Sequence, residues 1–302
     1  MEITATMVKD LREKTGVGMM ECKKALSESG GDMERAIAWM REHGLATAAK
    51  KAGREVKDGV VYGYVSPDGK TGAMVEVACE TDFVARTDDF QSMCRELARL
   101  VADNDPDEVN AQDIPDAKRP LLAMQASDGR TANEWLTGAI TKLGENMQVR
   151  RFSRVQLEGT GSVVNYIHSN SKLGVLVELT SDKPDALSRE EFRIVGKDVA
   201  MHIAAQNPRY VTSKEIPADE VDRERAIYRQ KAVNDGKPEK ILENIVAGQV
   251  NKWFSEVCLL DQAFVKDDKL KVKEMLAKQG QGIGANLDVR HFVRFQLGEA
   301  VA

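Results

Sequence analysis

Aromatic side chains are scarce in this chain, at 5% of 302 residues, so its cores must be assembled from aliphatic side chains and the 12 Met. Cysteine is scarcer still. Cys22, Cys79, Cys94 and Cys258 are scattered, with no Cys-x-x-Cys pair and no His at metal-ligand spacing. That pattern excludes a zinc ribbon or a disulfide framework and fits buried, reduced thiols in a cytoplasm. There is no basic excess either. Lys and Arg number 43 against 48 Asp and Glu, a net charge of −5, which argues against a dedicated nucleic-acid binder. No apolar run approaches the ~18 residues of a membrane span, and Met1-Glu2-Ile3-Thr4 has neither the basic nor the apolar region of a secretory signal. What remains is 42% apolar and 30% charged, ordinary for a globular protein, and long enough for one large or two to three modest domains.

Residues 1–44 read as three short helices. Thr4 caps the first, whose apolar face is Met7, Val8 and Leu11, and Gly16 and Gly18 end it. The second runs from Met19 to about Ser29, with Cys22, Ala25 and Leu26 on one side and a stop at Gly30-Gly31. Asp32 caps the third, where Met33, Ile37 and Met40 recur at helical spacing before Gly44. Such a bundle is a small recognition module. The charged segment 50–59 reads as a helix tail and linker; no aromatics interleave with its basic residues, as single-strand binding would require.

An internal repeat organises the rest. Shifted by 102 residues, Gly59, Val61, Tyr64, Lys70, Gly72, Val75, Glu76, Phe90, Ala98 and Pro106 fall on identical residues, from Gly161 to Pro208. Shifted by 140, Gly144–Leu157 lies over Gly284–Leu297 with eight of fourteen positions identical. Two copies of one unit follow, the second carrying the difference, 38 extra residues after Pro208. Each unit opens with a hairpin, turning at Ser66-Pro67-Asp68-Gly69 or at Ser169-Asn170-Ser171. A helix follows, with Phe90, Met93, Cys94 and Leu97 matching Phe192, Val195 and Val199. The first unit adds a helix from about Thr131, with Trp135, Leu136, Ala139, Ile140 and Leu143. Each unit closes on a strand whose alternation puts Val149, Arg151, Ser153 and Val155 on one face and Arg150, Phe152, Arg154 and Gln156 on the other. The fold class is therefore α+β: a three-helix head (1–54), then two duplicated subdomains (55–157 and 158–302), each with a three-stranded antiparallel sheet. The extra residues form a helical hairpin at about 215–257, broken at Gly236-Lys237-Pro238. It either pairs with a second copy of the chain or lies on its own subdomain.

Catalytic chemistry is thin. Asp68-Gly69-Lys70-Thr71-Gly72 lacks the first glycine of a phosphate loop, the position being Tyr64, and sits in a hairpin turn. Gly280, Gly282 and Gly284 precede a strand, where a dinucleotide fingerprint would follow one, and read as a flexible turn. His43, His168, His202 and His291 lie in different elements; His202 reads as a satisfied, half-buried helix histidine. No cofactor or metal and no enzymatic activity are expected.

One segment breaks the repeat. Glu80-Thr81-Asp82-Phe83-Val84-Ala85-Arg86 stands where the second unit has Asp182-Lys183-Pro184-Asp185. From the residues alone two accounts are open: Phe83 staples the next helix into the core, or it is presented at a loop tip as a wedge for a partner.

Residues 9–26, Lys-Asp-Leu-Arg-Glu-Lys-Thr-Gly-Val-Gly-Met-Met-Glu-Cys-Lys-Lys-Ala-Leu, together with Thr81-Asp82-Phe83-Val84-Ala85, resemble the bacterial elongation factor Ts family. The likeness runs from residue 3 to about 299, through Ala200-Met201-His202-Ile203-Ala204-Ala205 and the closing strands. It implies a ubiquitin-associated-like head, two related core subdomains, a coiled-coil hairpin, and a guanine nucleotide exchange factor for elongation factor Tu. By match, Thr81, Asp82, Phe83 and Val84 would enter the GTPase domain and disturb its Mg²⁺ site, while Lys9, Arg12, Met19, Met20 and Lys23 of the head and His168 would add contacts. No direct nucleic-acid or membrane partner is implied. The extra C-terminal helix of some members is expected to be absent, since the chain reads Glu299-Ala300-Val301-Ala302, and Asp261-Gln262-Ala263-Phe264 departs from the family's Asp-Gln-Pro-Phe. A scaffold with the same fold and no exchange activity is the competing class, disfavoured by retention of Thr81-Asp82-Phe83.

Overall fold

The computed structural model describes residues 3–15, 17–105, 120–126 and 128–300. Gly16 and Pro106, used above as a helix stop and a repeat match, lie outside the described residues.

The head comprises α1 (Ala5–Thr15), α2 (Met19–Glu28) and α3 (Met33–Lys51). Thr4 Oγ1 accepts from Met7 N and Asp32 Oδ1 from Arg35 N, so both expected caps are present. Val8, Leu11, Cys22, Ala25 and Leu26 meet in a small core of their own. Two expectations give way here. Gly18 starts α2, its carbonyl accepting from Glu21 and Cys22, and does not end α1. The third helix does not stop at Gly44 but runs through it to Lys51, because the Ala-rich stretch beyond has high helix propensity and α3 packs along a later helix of the first unit.

The first unit is β1 (Asp58–Val65), β2 (Thr71–Cys79), α4 (Asp82–Ala85), α5 (Asp88–Asn104), α6 (Pro120–Ala123), α7 (Ala132–Leu143) and β3 (Met147–Gln156). The second is β4 (Gly161–Ile167), β5 (Leu173–Ser181), α8 (Glu190–Gln206), α9 (Ala218–Asn234), α10 (Glu239–Val257), β6 (Ala263–Phe264), β7 (Asp267–Lys271), α11 (Val272–Ile283) and β8 (Leu287–Gln296). The sheets have orders β1-β2-β3 and β4-β5-β8, with a small separate β6-β7 ribbon. Helices cover one face of each sheet, around Phe90 and Leu97 in the first unit and Phe192 and Ile203 in the second. α9 and α10 pack as the expected antiparallel hairpin, tied by an Arg229–Glu243 ion pair.

The repeat is kept to the residue. Val61 faces Glu76 as Val163 faces Glu178, and each unit has a bulge at the same place on its closing strand. That bulge overturns the simple alternation expected for β3. Glu76 pairs with Arg151 and Val77 with Val149, so Arg150 is the extra residue. It resets the side-chain phase: Val149 and Phe152 both join the helix-side core, while Val155 faces the other sheet. A second correction concerns Gly280 and Gly282, which lie inside α11, the counterpart of α7.

Between the sheets lies a third core of matched pairs: Val61 and Val163, Met74 and Leu176, Val155 and Phe295, Leu157 and Leu297. The approach is close enough that a Cβ on Gly72 would fall 2.5 Å from Val163 Cγ1, and one on its counterpart Gly174 2.7 Å from Val61 Cγ1. Hydrogen bonds cross reciprocally. Val61 N donates to Ser171 O at 2.7 Å and Val163 N to Gly69 O at 2.8 Å. Likewise Gly298 N donates to the buried Glu76 carboxylate of the first sheet, and Glu158 N to the buried Glu178 carboxylate of the second.

Candidate functional site

The segment that breaks the repeat leaves the end of β2 as a tight turn into the one-turn helix α4. Thr81 is its N-cap, with Oγ1 accepting from Val84 N at 3.4 Å. Because a one-turn helix cannot bury all its side chains, the four residues divide. Val84 and Ala85 point into the first unit's core, Asp82 pairs with Arg86 Nη2 at 2.8 Å, and Phe83 stands outward, 81% exposed. The staple account of Phe83 is therefore overturned, and Val84 is a core residue more than a surface one.

The base of this turn is heavily cross-linked. Cys79 Sγ donates to Thr81 O at 3.1 Å; burial pushes its thiol up to about 12, so it stays a protonated donor. Glu145, from the α7–β3 connection, accepts from Thr81 N at 3.0 Å and from Thr81 Oγ1 at 2.6 Å. Its neighbour Asn146 donates from its backbone N to Glu80 Oε1 at 2.6 Å and from Nδ2 to Arg54 O at 2.7 Å. Arg54 Nη1 also lies 3.5 Å from Glu80 Oε1. Glu145 is the residue that sequence reasoning missed. Its signal was there: Glu145 aligns with Ala285 between two identical pairs, Gly144/Gly284 and Asn146/Asn286.

The other expected contact residues are exposed. His168 is exposed in the β4–β5 turn, its Nδ1 3.0 Å from Tyr166 Oη. That turn is bound to the start of β1 through Ser171 O and through Lys172 Nζ, 3.0 Å from Asp58 Oδ1. Asp58 in turn pairs with Cys79, two residues before Thr81. On the head, Lys9, Arg12 and Lys23 are exposed, and Met19 and Met20 are 48% and 79% exposed. Exposed methionines of that size suit an adaptable apolar contact. The head's exit, Ala52–Arg54, is held beside the base of the turn by Asn146.

Among the described residues, a cleft of about 970 Å³ separates the head from α5 and α7, bordered by Lys14, Met40, Met93 and Trp135; none of the expected contact residues lines it. No three His, Cys, Asp or Glu gather to hold a metal ion among the described residues, and no helix there is long and apolar enough to cross a membrane. His202 is fully buried, with Nε2 2.9 Å from Gln262 Oε1 and Nδ1 accepting from Val265 N. Both ring nitrogens are thus occupied by structural bonds.

Comparison with known proteins decides the family. The model of the family described as Elongation factor TS matches residues 80–299. The chain belongs to the elongation factor Ts family. An elongation factor Ts of Nitratidesulfovibrio vulgaris is 45% identical over 302 residues, covering 100% of this chain and 98% of that protein. Those of Clostridium acetobutylicum and Trichlorobacter lovleyi are each 43% identical, covering 99% and 100% of this chain and 94% of their own lengths.

Proposed function

We propose that this member of the elongation factor Ts family is a translation elongation factor that binds elongation factor Tu and promotes release of its GDP, allowing GTP to rebind. Family membership supports the general role, and the exposed Phe83 carries the mechanism. A phenylalanine left in water on a tightly held turn is an anchor whose burial stabilises only the complex. With Asp82 beside it, Phe83 acts as a wedge directed at the Mg²⁺ and phosphate site of the GTPase, on a turn that Thr81 caps and Val84 roots in the core. Lys9, Arg12, Met19, Met20, Lys23 and His168 supply surrounding contacts.

The physics is linkage and not bond chemistry. A factor that binds nucleotide-free Tu more tightly than Tu–GDP weakens GDP binding by the same ratio. A thousandfold weakening needs about 4 kcal/mol of differential binding, within reach of one buried aromatic and a few polar contacts. Mg²⁺ is the largest local charge holding the phosphates, so displacing it removes much of their stabilisation. The chain is thus an exchange factor and not an enzyme, acts in the cytoplasm on GDP-bound and nucleotide-free Tu, and uses residues 1–54, 55–157 and 158–302 as head and two subdomains.

The test is release of a fluorescent GDP analogue from purified Tu. The intact protein accelerates release; Phe83→Ala and Asp82→Ala each lose most of that acceleration while remaining folded. No acceleration by the intact protein on a cognate Tu contradicts the proposal and favours a scaffold.

A further inference from the structure

The internal repeat supplies a control for each residue around the wedge. In both units the residue after the second strand bonds to an Asn at the start of the closing strand. Asn146 N donates to Glu80 Oε1 at 2.6 Å, and Asn286 N and Nδ2 donate to Asp182 at 2.7 and 2.8 Å. This pair occurs with or without a wedge, so it belongs to the fold. The residue before the Asn differs. It is Glu145 in the unit with the wedge and Ala285 in the unit that has Lys183-Pro184-Asp185 in its place.

Glu145 does what an alanine could not. Both its carboxylate oxygens are engaged by one residue, Thr81, through N and Oγ1 at 3.0 and 2.6 Å. Sending the hydroxyl proton to the carboxylate aims the lone pairs of Oγ1 at Val84 N, the next bond of the cap. Glu145 is 64 residues away in sequence and enters from α7 through Gly144, whose φ is +81°. The turn carrying Phe83 is therefore fixed from outside by two charge-assisted bonds, in addition to its own local ones. Asn146, one residue on, holds the head's exit at Arg54 O. One dipeptide thus sets both the wedge and the last residues of the head.

We propose that Glu145 is the positioning residue of the exchange site, holding the turn so that Phe83 enters the partner in one orientation. The inference rests on the wedge reading above. Glu145 touches neither nucleotide nor metal; it acts through Thr81.

Glu145→Ala, Glu145→Gln and Phe83→Ala are compared on the full chain. The readouts are maximal GDP-release rate, the factor concentration giving half that rate, and amide hydrogen exchange. Misplacing an anchor by an ångström costs about tenfold to a hundredfold in rate, so Glu145→Ala lowers the maximal rate by that factor with a smaller change in half-saturating concentration. Glu145→Gln keeps one acceptor oxygen and falls between Ala and the unaltered protein. The amides of Thr81 and Val84 exchange about tenfold faster in Glu145→Ala, while those of β2, such as Val77, keep their protection. Thr81 and Val84 amides as protected as before overturn the anchoring. A full exchange rate in Glu145→Ala, when Phe83→Ala is impaired, overturns the positioning role alone. Unchanged release with Phe83→Ala removes the wedge reading and this role with it.

Discussion

Phe83 leaves about 1.5–3 kcal/mol of apolar transfer unused in the free protein, since 81% of its surface stays in water. Truncating it touches no core contact, so its effect falls on the complex. Val84, one residue on, has the opposite assignment, buried among the α5 core residues. The motif Thr-Asp-Phe-Val was legible as a unit, but which side chain faces out was not. That depends on the phase of a single helical turn, and the turn's phase is set by Glu145, far away in sequence. His202 was legible as a structural histidine, though its burial is complete. Burial holds its pKa below the ordinary histidine value. The unfolded chain therefore binds a proton that the folded one resists. That contribution is full above the unfolded value near 6.5 and is lost as pH falls through it toward the folded value. Stability measured by denaturant should drop from pH 7 to pH 5, by at most about 1.4 kcal/mol per pH unit from this one group. His202→Gln should flatten that part of the profile.

Among the elements, helices and hairpins with local signals were legible: the helix start at about Thr131, the Asp32 cap, and the two hairpin turns. What was not legible depended on distant packing. α3 continues past Gly44 because it has α7 to lie on, with Thr141 Oγ1 3.4 Å from where a Cβ on Gly44 would sit. The bulge at Arg150 inverts half a strand without leaving a signal in the hydrophobic pattern. Gly280 and Gly282 disguised α11, although α7 at the same place in the other unit marked it. Gly280 is there for space: an added Cβ would fall 2.5 Å from Ala285 O, where the chain turns into β8. Gly280→Ala should therefore lower the unfolding free energy by about 1–3 kcal/mol. Gly248, exposed in the middle of α10 with nothing near its missing Cβ, gives the opposite sign. Gly248→Ala should raise stability by about 0.5–1 kcal/mol. Chemical denaturation of the two variants checks both.

At the scale of the whole molecule the two units are clasped, each closing segment donating a backbone N–H to the other's buried glutamate. The duplication was legible from the two sequence shifts; that the copies meet through their sheets was not, because no local pattern records which apolar face meets which. The clasps are unequal. Glu76 also receives Arg151 Nε at 2.7 Å, and Arg151 reaches Gln296 O and lies over the Phe295 ring. The second unit has His291 opposite Glu178, exposed. Removing one member of a buried ion pair costs about 3–5 kcal/mol, chiefly through the charge left behind. Glu76 keeps Arg150 Nε at 3.5 Å, so Arg151→Ala should destabilise the chain by less than that full amount, and His291→Ala by far less still, in the same denaturation experiment.

In the proposed mechanism the wedge weakens GDP binding by disturbing the partner's Mg²⁺ site. The most direct measurement is GDP release from Tu as a function of free Mg²⁺, with the intact protein and with Phe83→Ala. If the metal is the wedge's target, the advantage of the intact protein over Phe83→Ala is largest at millimolar Mg²⁺ and shrinks severalfold or more once a chelator has removed the metal. An advantage that stays constant across the whole Mg²⁺ range would rule out the metal site as the target and move the action of Phe83 elsewhere on the GTPase.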